Sequence, residues 1–144
     1  MDMRIIALDV GERRIGVALS DPTGTLATPL TTIEQPSDDV QPTLDEIIRL
    51  VQDNEASEIV VGIPVLLSGR EGSQARATRD FVKRLAERTA VPIRRVDERL
   101  SSVQAERMLR DSGARPSRDK GKIDAAAAAI ILQGYLDSAR RPSA

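Results

Sequence analysis

Three carboxylates occupy positions where carboxylates are uncommon. Asp9 closes the run Arg4-Ile5-Ile6-Ala7-Leu8-Asp9-Val10-Gly11, whose β-branched and apolar residues read as a strand. Asp is depleted in strands and an unpaired buried carboxylate is costly, so its presence there needs a reason. Glu98 follows the strand-like Pro92-Ile93-Arg94-Arg95-Val96, and Asp124 heads the apolar stretch Ala125 to Leu132. Acids at the ends of three elements, in a chain with no His and no Cys, point to a site for a hard divalent cation. Like charges gathered in this way repel unless a cation lies among them, and oxygen ligands favour magnesium or manganese. Two of the acids also have a plainer explanation. Asp124 could be an N-terminal charge favoured by the helix dipole. Glu98 could be a surface acid paired with Arg95 or Arg99, an arrangement worth little. Asp97 has the opposite strand parity to Glu98 and is the weaker candidate ligand of the two.

Composition removes whole classes of chemistry. Without Cys or His there is no disulfide, no thiol nucleophile, no Cys/His zinc site and no imidazole base. Phe81 and Tyr135 are the only aromatic residues, which argues against platforms that stack nucleobases on aromatic rings. A nucleic-acid ligand would therefore be held through its phosphates. The net charge of −1 conceals an asymmetry: residues 1–69 carry 4 basic and 12 acidic side chains, whereas residues 70–122 carry 15 and 8. The basic segment is mostly arginine, which suits bidentate phosphate contacts. A pair of solvated helices would show the same composition.

The elements that must position these acids follow from periodicity. Strands are expected over about 4–10, 14–21 and 25–33, the third broken by Pro29. Short turns between them imply an antiparallel meander. A helix over 39–53 carries Val40, Leu44, Ile47, Ile48 and Val51 on one face. A buried-type strand over 57–63 precedes a helix over 73–89, and a fifth strand runs from Ile93 to Asp97. A helix starting at Ser101, capped by the Ser101/Gln104 spacing, should end before Gly113, and a last helix should span 123–138. Between them lies a basic Gly/Pro-rich loop, 112–122. Strands one, four and five are separated by helices and should be parallel. The result is an α/β fold with a mixed five-stranded sheet and helices on both faces, as one domain over 1–138 with a frayed tail at 139–144. Ligand sites in such sheets lie beyond the carboxyl ends of the parallel strands, where Asp9 and Glu98 fall. No apolar run is long enough to span a membrane, and the N-terminus reads as a strand, so a cytoplasmic location is expected.

The stretches Ala7-Leu8-Asp9-Val10-Gly11 with Arg14-Ile15-Gly16-Val17-Ala18, Val61-Gly62-Ile63-Pro64 with Gly69, Arg76 and Phe81, Val96-Asp97-Glu98-Arg99-Leu100-Ser101-Ser102, and Lys122-Ile123-Asp124-Ala125-Ala126-Ala127-Ala128 occur in this order. Together they resemble the YqgF family, also called RuvX. The resemblance implies an RNase H-like fold and a nuclease that trims the 5′ end of the small-subunit (16S) ribosomal RNA precursor. It also implies kinship with Holliday-junction resolvases, and places the family's metal-binding acids on Asp9, Glu98 and Asp124.

The reaction expected from these residues is metal-assisted phosphodiester hydrolysis with one or two Mg²⁺ or Mn²⁺ ions at Asp9, Glu98 and Asp124. Lys122 is expected to meet the scissile phosphate or developing charge. Arg76, Arg99, Arg115, Arg118 and Lys120 are expected on flanking phosphates. The alternative enzyme is a resolvase of branched DNA, which calls for a homodimer presenting two sites. An ATP-binding lobe of the actin type is a third reading, disfavoured because such proteins close two lobes on the nucleotide. A binding or assembly protein using the fold as a scaffold belongs to another class.

Overall fold

The computed structural model describes residues 4–35, 39–66, 68–100 and 120–140. Its strands are β1 (Ile5–Val10), β2 (Arg14–Ser20), β3 (Ala27–Glu34), β4 (Glu58–Ile63) and β5 (Ile93–Asp97). Its helices are α1 (Gln41–Asp53), α2 (Ser73–Ala86) and α3 (Lys120–Arg140), with a 3₁₀ turn at Glu98–Leu100. The helix expected from Ser101 to before Gly113 lies outside the described residues, as does the tail beyond residue 140.

The sheet order is β3-β2-β1-β4-β5. β1 pairs antiparallel with β2 and parallel with β4, and β4 pairs parallel with β5. The meander and the parallel crossovers expected from the sequence are thus both present. β1 is central and buried along its whole length.

Alternation along the strands sorts side chains to two faces. Ile6, Leu8, Ile15, Val17, Ile59 and Val61 join Leu44, Ile47, Phe81 and Leu85 of α1 and α2 in one core. Ile5, Ala7, Ala18 and Val60 meet Ala127, Ala128, Ile131, Leu132 and Leu136 of α3 in the other. Alanines on the inner side of α3 let its backbone come close to the sheet. Gln133 fastens it further: its Nε2 donates to the Thr25 carbonyl at 3.0 Å, and its Oε1 accepts from the Ala27 N–H at 3.0 Å.

Two boundary expectations need correction. Pro29 does not break β3. The strand lies at the sheet edge, and a register shift between Val17 and Ala18 takes up Leu30, so that Ala18 pairs with Pro29. Edge strands and bulges tolerate a residue lacking an N–H. The last helix begins at Lys120 rather than 123, so 120–122 are helical and Asp124 lies a turn inside the helix rather than at its head.

Candidate active site

The site is built on one row of the sheet. Cross-strand register places Thr32, Gly16 and Asp9 side by side on β3, β2 and β1. The pairing of Leu8 with Val61 continues to set Gly62 beside Asp9, and Gly62 pairs with Val96 on β5. Asp9 lies two residues beyond Ala7, so by the pleat it faces α3. It therefore projects between two glycines, one on each neighbouring strand.

Both glycines are filled from above by an acidic residue. A Cβ on Gly62 would stand 3.1 Å from Cγ and 3.2 Å from Oε1 of Glu98, and 2.6 Å from Cδ1 of Ile131. A Cβ on Gly16 would fall 1.9 Å from the backbone carbonyl oxygen of Asp124. A glycine inside a strand often marks such a close approach. The three acids thus stand over three adjacent strands, each about 4.8 Å from the next.

Burial separates them. Asp9 is 3% exposed and Glu98 2% exposed, whereas the Asp124 side chain keeps 18%. Its Oδ2 accepts a 2.9 Å hydrogen bond from Nε of Arg14. Among the described residues no group of three acids is gathered tightly enough to hold an ion as it stands. The donor chemistry does fit a hard divalent cation: two nearly inaccessible carboxylates share a glycine-cleared row, with a third acid at its margin. Ligation by all three would require Asp124 to turn from Arg14 or share an oxygen.

Asp97 takes a different role from its neighbour. The Arg99 side chain, together with the Arg99 backbone N–H, holds its carboxyl below the usual carboxylate range. The contacts are 2.8 Å from Nη2 and 2.9 Å from the backbone N–H. Arg99, expected on a phosphate, is thus already engaged with Asp97. Arg76 is exposed on α2. Arg115 and Arg118 lie outside the described residues, as do the side chains of Lys120 and Lys122, although both lysines belong to the first turn of α3.

Sequence reasoning gave no role to Arg14, Gly16 or Gly62. A signal for the glycines was present, since each stands next to β-branched residues inside a strand. Arg14 had no such mark; its contact spans 110 residues of sequence.

The model of the family described as "RuvX: Holliday junction resolvase" matches residues 3–138. A protein of Chloroflexus aurantiacus named "Putative pre-16S rRNA nuclease" is 47% identical over 139 residues, covering 96% of this chain and 90% of that one. One of the same name from Thermobifida fusca is 50% identical over 144 residues, covering 94% and 88%. Among solved structures, Thermus thermophilus RuvC in complex with a Holliday junction substrate superposes with a TM-score of 0.62 at 14% identity, covering 95% of each chain. That likeness speaks for the RNase H-like fold. The family model and the sequence relatives, spanning nearly the whole chain, decide the family: the protein belongs to RuvX.

Proposed function

We propose that this protein is a nuclease that hydrolyses phosphodiester bonds in the precursor of 16S ribosomal RNA, at its 5′ end. The observation that carries this reading is the row itself, with buried Asp9 and Glu98 beside glycines that admit the acids to the sheet, and Asp124 at its edge. The names of relatives near 47% identity supply the substrate class.

Asp9, Glu98 and Asp124 are the residues that would hold one or two Mg²⁺ or Mn²⁺ ions. Bound there, the ion would acidify water and neutralise charge on the phosphate. The chain's own residues do the rest. The glycines at 16 and 62 admit the acids to the sheet surface. Burial of Asp9 and Glu98 limits water around them and strengthens charge interactions. Lys122 would meet the developing charge, and Arg76, Arg115, Arg118 and Lys120 would hold flanking phosphates, as would Arg99 on turning from Asp97. Work on a ribosomal precursor would be carried out in the cytoplasm. Among the described residues no helix is long and apolar enough to cross a membrane.

A second reading is favoured by the family's description and by the RuvC likeness: cleavage of four-way DNA junctions by a homodimer. One experiment separates the two. Purified protein is incubated with a 5′-extended 16S precursor RNA and a synthetic four-way junction, in Mg²⁺, Mn²⁺ or EDTA. The expected result is metal-dependent cleavage of the RNA and an intact junction. Paired symmetric cuts in the junction alone would favour the resolvase. No cleavage of either would favour a scaffold protein.

A further inference from the structure

Beside the acids, at the turn joining β1 to β2, the chain builds a basic corner. A cavity of about 360 Å³ is lined by Arg13, Arg14, Glu34 and Gln35. The turn is held from several sides. Gly11 donates its N–H to the Arg14 carbonyl at 2.9 Å, and a Cβ at this glycine would sit 2.8 Å from that oxygen. Gln35 donates its backbone N–H to the Arg13 carbonyl at 2.7 Å and its Nε2 to the Gly11 carbonyl at 3.2 Å. The two arginines therefore rise from a fixed backbone, which lowers the ordering cost of binding.

Arg14 connects this corner to the candidate active site. Its Nε donates to Asp124, while its side chain, 31% exposed, also borders the cavity. A guanidinium presents several N–H groups in one plane, so it can hold a carboxylate with one edge and meet an anion with another. An ammonium cannot do both with the same geometry. Arg13 is exposed at the mouth of the cavity.

We propose that the Arg13–Arg14 corner seats a phosphate of the nucleic-acid chain next to the one being cut, with Arg14 acting as a positioning residue for Asp124. The proposal rests on the nuclease reading and adds the direction in which the substrate backbone leaves the acids: over the β1–β2 turn. Glu34 opposes it. Exposed on the same cavity, Glu34 lowers the local positive potential and keeps the seat weak.

The test is equilibrium binding of a fluorescein-labelled single-stranded RNA followed by anisotropy, in EDTA so that no ion is present, over a series of salt concentrations. Arg13→Ala and Arg14→Ala should each flatten the plot of log affinity against log salt by about 0.7, the value for one phosphate contact on a single strand. Glu34→Gln should tighten binding about twofold. Arg49→Ala is the control: it removes the same charge from α1, where Arg49 pairs with Glu46 and Asp53, and should leave the slope unchanged. A slope unaltered by Arg13→Ala, or altered equally by Arg49→Ala, overturns the corner while leaving the nuclease reading intact. Failure of the parent protein to bind RNA at any salt, in EDTA and in Mg²⁺ alike, overturns both. Arg14→Ala is repeated in an Asp124→Asn background. Persistence of its effect supports direct phosphate contact, and its disappearance removes Arg14 from the seat.

Discussion

Asp9 owes its position to what its neighbours lack. Side chains of ordinary size at 16 and 62 would collide with the Asp124 backbone and with Glu98 and Ile131; the two glycines let those residues come down beside Asp9. If Asp9 is a ligand rather than a structural hydrogen-bonding group, Asp9→Asn should abolish cleavage, by at least the 10–100-fold seen when the surroundings of a ligand are altered. The fold should keep its stability to within about 1 kcal/mol, since loss of a structural hydrogen bond there would cost about 1–3 kcal/mol. Thermal melts and a single-turnover assay on one preparation decide it. A variant that is destabilised yet cleaves at the parent rate would falsify the assignment.

At the scale of elements, the site depends on how closely α3 approaches the sheet. A Cβ at Gly16 would collide with backbone, which has no rotamer to escape into. Gly16→Ala should therefore lift the first turns of α3, with a cost of up to about 3 kcal/mol and loss of cleavage. Gly62→Ala meets side chains of Ile131 and Glu98 instead, and should be milder on stability while still displacing Glu98. Chemical denaturation of both variants checks the ranking.

Farther along α3, Tyr135 donates to Oε1 of Glu58 on β4 at 2.5 Å. Burial, with Glu58 adding to it, pushes the Tyr135 hydroxyl from its ordinary 10.0 up to about 12. Because the folded pKa lies above the unfolded one, this contribution is complete below pH 10 and fades as pH rises toward 12. Tyr135→Phe should flatten the decline in stability across that window and cost about 1 kcal/mol at neutral pH.

Much of this is legible in the sequence. The position of Asp9 in a strand was marked by its neighbours, and Glu98 was distinguished from Asp97 by parity. Glu98 is buried in the 3₁₀ turn that follows β5, and Asp97 is paired with Arg99. What escaped was set by tertiary contact. Lys120-Gly121-Lys122 reads as a loop because glycine is a poor helix former and the lysines carry no apolar phase, yet these residues continue the helix that packs behind them. Pro29 reads as a strand break only if β3 has neighbours on both sides. The Arg14–Asp124 pair joins distant parts of the chain, and no local pattern announces it.

For the molecule as a whole, charge and fold separate two tasks. Residues 1–69, with 4 basic and 12 acidic side chains, build most of the sheet, while residues 70–122, with 15 and 8, carry most of the cations. A chain whose aromatic residues are only Phe81 and Tyr135 should bind nucleic acid with strong salt dependence and little sequence preference. Arg76→Ala, an exposed change on α2, should flatten the salt slope by about 0.7 to 0.9 without altering the melting temperature. Filter binding across a salt series would show this.

The central claim is that Asp9, Glu98 and Asp124 act together on a hard cation. Manganese titration followed by electron paramagnetic resonance reads it directly, without nucleic acid and without turnover. The parent protein should remove free Mn²⁺ from solution saturably, and Asp9→Asn and Glu98→Gln should each weaken that uptake at least tenfold. Uptake that is absent in the parent, or equal in the parent and both variants, would contradict the account.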